Sequence, residues 1–493
     1  MEQSKVRELQ DVVIRFSGDS GDGMQLTGTL FSDTSALLGN GISTFPDYPA
    51  EIRAPQGTVA GVSGFQVHFG DHRELNPGDY CDVLVAMNPA ALKANRKWLK
   101  PGATVILDGD SITEEHLKKA GFATLDPLAE LKLDEYNVVV PDITSMTREA
   151  LKETGLDNKA VVKCKNMFAL GICFWLFDRP EDYALKYLDG KFAKKNPAVA
   201  QANKLAIAAG YNYAHQFANN YTVAPAPREK GTYRSINGNV ATAWGLCAAA
   251  EKAGLPLFCG SYPITPATVI LEELAKRKDL GVKTVQAEDE IAGICTAIGA
   301  AFAGNFAVTT TSGPGLSLKS EALGLAVMTE LPLVVVDVQR GGPSTGLPTK
   351  TEQSDLQQAL YGRNGECPVI VVAASSPSDC FHYAFEAGRL AMEHMTPVIL
   401  LTDGFIANGS EPWRIPEMKD YPAIQPPIVD KAPEGGFMPY VRNEKLARGW
   451  AFPGKVGLEH RVGGLEKDCV KGCISHDPAN HQKMTRTRAE KVA

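Results

Sequence analysis

The sequence predicts an α/β protein: two α/β domains with mostly parallel sheets, a linker between them, and an irregular C-terminal segment. Three observations carry that prediction. Short apolar runs that end in polar residues alternate with helical stretches, the pattern of a parallel sheet covered by helices. The chain has 493 residues, too many for one ordinary domain. A stretch rich in proline and charge, VAPAPREKG (223–231), separates two such alternating regions.

In the first region VVIRF (12–16) reads as a buried strand, followed by a glycine-rich loop and a helix through Met24–Leu38. VAGVSGFQVHFG (59–70) alternates as a strand does. CDVLVAMNP (81–89) and ATVILDGD (103–110) are apolar runs ending in Asn88 and Asp108, with the helical AALKANRKWLK between them. Residues 147–219 read as helical, so a first domain is expected over 1–219 and a linker over 220–232. The second domain, 233–412, has strands at PLFCGSYP (256–263), KTVQAED (283–289), NFAVTTTSGPG (305–315), LPLVVVDVQRGG (331–342), CPVIVVA (367–373) and TPVILLTD (396–403). Between them lie helices rich in Ala and Gly. Residues 413–493 are proline-rich and are expected to form an irregular connecting segment closed by a charged helix, HQKMTRTRAEKVA.

Composition narrows the function. Hydrophobic residues at 44% and charged residues at 22% suit a globular protein with substantial cores. A net charge of −7 argues against nucleic acid as a partner, which would require a basic face. The N-terminus, MEQSKVRELQ, has no apolar signal-peptide core. The longest apolar runs, LPLVVV (331–336) and ALGICFWLF (169–177), fall short of the roughly 18 residues of a membrane span. A soluble, cytoplasmic protein is expected, with no membrane partner. Of ten scattered cysteines only Cys469 and Cys473 are close together, whereas an iron–sulfur cluster wants about four thiolates at tight spacing. No metal set is expected here, and any cluster is expected on another chain.

In FSGDSGDGMQLTG (16–28) a strand, a glycine-rich turn and a helix follow one another, the geometry that points N–H groups at a phosphate. Gly18, Ser20, Gly21, Asp22 and Gly23 are its candidates. Asp22 opposes direct phosphate contact, because two anions repel. A second reading takes Gly21-Asp22-Gly23 as the start of a metal–diphosphate signature, but Asn40 follows too soon and Asn76 too late. A third is a tight turn in which Asp22 caps the helix. In TFPDYPAEIRAPQG (44–57), Arg53 is either an anion contact or a solvated surface arginine.

The second region is sharper. CGSYPITPAT (259–268) places Tyr262, Pro263, Ile264 and Thr265 just after a strand, with two prolines stiffening the loop. Thr265 is thereby presented where open α/β sheets bind ligands. QAEDEIAGICTAIGAAFAG (286–304) starts acidic: Glu288, Asp289 and Glu290 complement a helix dipole, or one of them enters a buried site and bonds a heterocycle nitrogen. Spacing alone does not choose. TTTSGPGLSL (309–318) offers Ser312 and Gly313 in a loop dense in hydroxyls and N–H groups. QRGGPSTGLPTKTEQSDL (339–356) puts Arg340, a planar fork suited to a carboxylate, at the end of the strongest buried strand.

Together these segments resemble the α subunit of the 2-oxoacid:ferredoxin oxidoreductases, in the form fused to a γ domain and nearest the 2-oxoglutarate synthase (KorA) type. SGDSGDGMQLTG and PAEIRAPQG resemble the γ domain. YPITPAT, QAEDEIAGI, TTTSGPGLSLKSE and QRGGPSTGLPTKTEQSDL resemble the α domain. The resemblance spans essentially the whole chain. It implies a Rossmann-like, coenzyme A-associated domain over 1–219 and a thiamine pyrimidine-binding domain over 233–412. It implies CoA-dependent oxidative decarboxylation of 2-oxoglutarate to an acyl-CoA, CO2 and reduced ferredoxin, reversible toward CO2 fixation. Pyruvate and branched-chain or aromatic 2-oxoacids are the alternative substrates. A non-catalytic, ligand-binding regulatory subunit is the alternative of another class.

For residues, the resemblance makes Glu290 the carboxyl at the pyrimidine N1′, with Glu288 less favoured. It sets Thr265 near the substrate and pairs Arg340 with the 2-oxoacid carboxylate. Thr349 and Lys350 lie in the same substrate loop, Lys350 being a candidate for the second carboxylate of 2-oxoglutarate. Tyr262, Pro263, Ile264, Ser312 and Gly313 would line the cofactor. Thiamine diphosphate would be shared with a β subunit that holds Mg2+ and a [4Fe-4S] cluster, in a dimer of heterodimers. The family usually continues into a further small α/β domain after a helix resembling NHQKMTRTRAEKVA.

Overall fold

A computed structural model describes residues 5–49, 54–217 and 219–493. Arg53 lies outside the described residues. The chain forms two compact units: Met1–Ser235 with Gly409–Arg414, and Ile236–Asn408 with Ile415–Ala493.

In the first unit β1 (Lys5–Leu9) precedes a sheet made of β2 (Asp11–Asp19), β3 (Gly41–Asp47), β4 (Val62–Gly70), β5 (Cys81–Ala86), β6 (Leu99–Leu107) and β7 (Asn137–Val139). The order is β3-β4-β2-β5-β6-β7. Strands β2, β5, β6 and β7 run parallel, but β4 is antiparallel to both β2 and β3, so this sheet is mixed. β1 pairs with β8 (Asn219–Val223) in a separate parallel ribbon. The helix Met24–Leu37 packs Phe31 into an aromatic cluster with Phe16, Phe69, Phe174 and Phe177, ring centroids 5.4–6.2 Å from Phe31. The helices Lys165–Leu176 and Pro197–Ala214 cross backbone to backbone, because a Cβ at Gly171 or Gly210 would collide with the main chain of the other helix.

The proline-rich stretch expected to link two domains is instead held by the first unit. Asn40 Nδ2 donates to Val223 O and Ala224 O at 3.2 and 2.8 Å, and Arg228 donates to Ala36 O and Asn40 O. The division therefore falls at Ser235, not within 220–232.

β9 (Tyr233–Asn237) carries the chain across that division. The second unit holds one all-parallel sheet of β10 (Leu257–Ser261), β11 (Lys283–Gln286), β12 (Phe306–Thr311), β13 (Leu333–Gln339), β14 (Ile370–Ala373) and β15 (Pro397–Asp403). Its order is β11-β10-β12-β13-β15-β14. From β10 the chain turns first to one side, to β11, and then to the other, to β12. The carboxyl ends of β10 and β12 thus flank a topological switch point, where open α/β sheets bind ligands.

Residues 415–493 are not a loose connection. They pack within the second unit and include two short paired strands, Ile428–Val429 and Trp450–Ala451, and the helix Pro478–Val492. The buried Arg448 donates to Thr329 O and Glu330 O at 3.1 and 3.2 Å. Glu330, itself buried, is paired with Arg442 and with Lys491 of the last helix. Composition read this segment as irregular because its order comes from long-range ion pairs rather than from local periodicity. No helix of the described residues is long and apolar enough to cross a membrane.

Candidate active site

The switch point is built by three loops. Ser261, fully buried at the end of β10, donates to Thr310 O at 2.7 Å and accepts from Thr310 N at 3.1 Å, locking β10 to β12. The chain then runs through Tyr262 to Pro266, with Tyr262 and Thr265 exposed and Pro263 and Ile264 half-buried. Asn239 Nδ2 holds Pro266 O at 3.1 Å.

After β11 the three acids separate. Glu288 faces solvent. Asp289 is the N-cap of the helix Glu290–Phe302, its carboxylate accepting from Ala292 N at 2.7 Å. Glu290, the first helical residue, is only 8% exposed. The loop after β12 closes on it: a Cβ at Gly315 would stand 2.8 Å from Glu290 Cγ and would collide with Thr311 Oγ1. Beneath lies Lys319, fully buried, donating from Nζ to Glu290 O at 2.7 Å. Burial pushes the Lys319 ammonium down to about 8, against the opposing pull of the Glu290 charge.

Arg340 leaves the end of β13 and is 6% exposed. Its Nη1 donates to Thr265 O at 2.7 Å and its Nη2 to Thr345 O at 3.1 Å, while Nε is buried and unpartnered among the described residues. Burial lowers its pKa and the Glu290 carboxylate counters this, so the two charges sense one another. The loop beyond is closed by Gly341 N to Lys350 O, 2.9 Å, with Thr349 and Lys350 half-buried at its base. The structure thus brings Glu290, Arg340 and the Thr265 backbone into one cleft, and leaves Glu288 out of it.

Sequence reasoning missed two acids under this cleft. Asp337 interrupts the apolar strand LVVVDVQ and has no exposure. Asp355 is tied by its N–H to Gln339 Oε1 at 2.9 Å, and its carboxylate lies under Gly313, where a Cβ would be 2.7 and 2.9 Å from the two oxygens. Burial, then the Asp355 charge, raises Asp337 well above the usual carboxylate range, and burial raises Asp355 as well. Two neighbouring buried carboxyls oppose each other's ionisation. A lone Asp in a strand of valines was the available signal.

Ser312 Oγ, like Arg340 Nε, is buried without a partner among the described residues. Buried polar atoms normally find partners, so such a group beside a buried carboxyl fits a polar ring that supplies them.

The first unit's glycine loop differs. Asp22 Oδ2 accepts from Asp19 N at 2.9 Å and Oδ1 lies 3.1 Å from Lys165 Nζ. Asp19 in turn accepts from Gly57 N at 3.0 Å. The third reading, in which Asp22 caps the helix, does not hold: Gly23, at φ 75°, is the N-cap and no side chain caps it. Gly18 is buried, Ser20 and Gly21 are exposed, and Asp22 and Gly23 are half-buried. All ten cysteines are free; Cys469 is half-buried and Cys473 exposed.

Known proteins resemble the chain over both units. Residues 249–474 match the family model "Pyruvate flavodoxin/ferredoxin oxidoreductase, thiamine diP-bdg", and residues 13–213 match "Pyruvate ferredoxin/flavodoxin oxidoreductase". The 2-oxoglutarate oxidoreductase subunit KorA of Mycobacterium tuberculosis is 54% identical over 490 residues, covering 99% of this chain and 74% of that protein. The 2-oxoacid:ferredoxin oxidoreductase 1 subunit alpha of Aeropyrum pernix is 29% identical, covering 98% and 78%. A solved 2-oxoglutarate:ferredoxin oxidoreductase from Magnetococcus marinus, with 2-oxoglutarate, coenzyme A and succinyl-CoA bound, superimposes with a TM-score of 0.82 at 33% identity, over 98% of this chain and 79% of that one. At this identity and coverage, the chain belongs to the α-subunit family of the 2-oxoacid:ferredoxin oxidoreductases.

Proposed function

We propose that this chain is the α subunit of a 2-oxoglutarate:ferredoxin oxidoreductase, converting a 2-oxoacid and CoA to an acyl-CoA and CO2 with electrons passed to ferredoxin. The observation that carries the reading is the burial of Glu290 in the same cleft as Arg340. Thiamine diphosphate, when bound, supplies the nucleophilic carbon that adds to the keto carbon and lets CO2 leave. Glu290 holds a proton against the pyrimidine N1′ and so sets the ring's tautomer. Tyr262, Pro263, Ile264, Ser312 and Gly313 wall the pyrimidine, with the Ser312 hydroxyl as an uncommitted polar contact. Arg340 turns its uncommitted Nε toward the substrate carboxylate, beside Thr265. Thr349 and Lys350 lie at the base of the same loop, Lys350 facing the distal carboxylate that distinguishes 2-oxoglutarate from pyruvate.

The remaining parts belong to a β subunit: the diphosphate with its Mg2+ and a [4Fe-4S] cluster, in a cytoplasmic dimer of heterodimers. In the first unit, Gly18 through Gly23 serve CoA through the exposed Ser20 and Gly21, since Asp22 is already engaged by Lys165. The test is to assemble the chain with its β partner and follow dye or ferredoxin reduction with CoA and a series of 2-oxoacids. The highest kcat/KM is expected for 2-oxoglutarate. A preference for pyruvate would move the substrate, and inactivity with every 2-oxoacid would end the reading.

A further inference from the structure

One buried charge in the second unit takes no part in the chemistry proposed for the cleft. Lys319 joins the short helix Gly313–Leu318 to the helix Ser320–Thr329 and is fully buried. An ammonium offers three donors. This one has a single acceptor among the described residues, Glu290 O at 2.7 Å. Burying a cation so sparsely matched is costly, whereas a methionine of similar length would fill the same space without that cost.

Its surroundings single out one partner. The groups that act on its charge are Glu290, Cys259, Asp289 and Cys295, with Glu290 foremost. Cys259 lies on β10, where burial pushes its thiol up to about 12 and keeps it neutral. Cys295 and Asp289 are exposed, and the Asp289 carboxylate already accepts from Ala292 N. Glu290 is the buried acid of the group. The segment 312–319 holds it at two points: Gly315 lies against its Cγ and Lys319 takes its carbonyl. That carbonyl belongs to the first residue of the helix Glu290–Phe302, so the bond fixes where the helix starts and hence which acid turns inward.

We propose that Lys319 is a positioning residue for Glu290: its ammonium pins the first turn of the helix and supplies the positive charge against which the Glu290 carboxyl passes its proton toward the pyrimidine N1′. The inference rests on the role proposed for Glu290. Lys319 exchanges no atom with the cofactor and acts through its charge and its one hydrogen bond. In a site shielded from water, a cation favours the ionised form of a neighbouring acid. Burial brings Lys319 to about 8, so this help is present below that pH and withdrawn above it.

The experiment compares the parent, Lys319→Met and Lys319→Gln in the assembled enzyme across pH. On the acid side of about 8, kcat of Lys319→Met is expected about tenfold below the parent, and the ratio should approach one on the alkaline side. Lys319→Gln keeps a donor without the charge and should follow Lys319→Met. A lysine with only a structural role would give a ratio independent of pH, and that result would overturn the proposal. A second readout needs neither cofactor nor substrate. In the full chain labelled with carbon-13 at the lysine ε position, the resonance missing from Lys319→Met should titrate near 8. Glu290→Gln should move that midpoint down, because the Glu290 charge supports the ammonium. A midpoint unmoved by Glu290→Gln would overturn the coupling even in an active enzyme. A moved midpoint in an enzyme inactive on every 2-oxoacid would support the coupling and sink only the proposed function.

Discussion

The glycine loop of the first unit and the switch-point cleft of the other unit are similar in sequence and different in chemistry. Both follow buried strands and are rich in Gly, Ser and Asp. In the glycine loop, Asp22 and Asp19 are consumed by Lys165 and by main-chain N–H groups. In the cleft, Ser312 Oγ and Arg340 Nε are buried with no partner among the described residues. A loop that satisfies its own polar groups holds a shape. One that leaves them unsatisfied is waiting for a ligand, since such burial otherwise costs about 1–3 kcal/mol per group.

The sharpest way to break this contrast is Glu290→Gln. Turnover of the assembled enzyme should fall by about 10²–10⁴-fold while its unfolding curve is unchanged. Retained activity would mean that the buried carboxyl does no proton work. Lys319 gives the next largest effect, read as stability against pH. Its folded-state value is about 8 against an ordinary 10.5, so between these limits the folded chain binds fewer protons than the unfolded one and stability rises with pH. That rise, up to about 3 kcal/mol, should vanish in Lys319→Met when urea midpoints are compared across the window. Arg340→Ala should lower kcat/KM for 2-oxoglutarate by about tenfold to a hundredfold, the worth of hydrogen bonds to a charge of about 1.5–3 kcal/mol. Asp22→Asn in the first unit should do least: a stability loss of about 1 kcal/mol or less, seen as a small Tm shift, with kcat for the 2-oxoacid preserved. A large kcat loss there would erase the distinction between the two loops.

Much of the second unit was legible because strand ends, prolines and glycines punctuate a parallel sheet at the positions where ligands bind. Which acid matters was not. Glu288, Asp289 and Glu290 are adjacent, and only the phase of the helix start sends one to solvent, one to the cap and one inward. Asp337 was hidden because its partner, Asp355, is brought to it by the fold and not by spacing. The stretch 223–231 misled for a related reason: composition cannot tell a solvated linker from a strap held by Asn40 and Arg228.

The Glu330 cluster has a consequence for biosynthesis. That carboxylate is neutralised by a lysine 161 residues further along the chain. Arg442 reaches Glu330 earlier in synthesis, but this second cation emerges from the ribosome only with the helix Pro478–Val492. The half of the molecule that carries Glu290 and Arg340 therefore completes its interior only once that helix has been made.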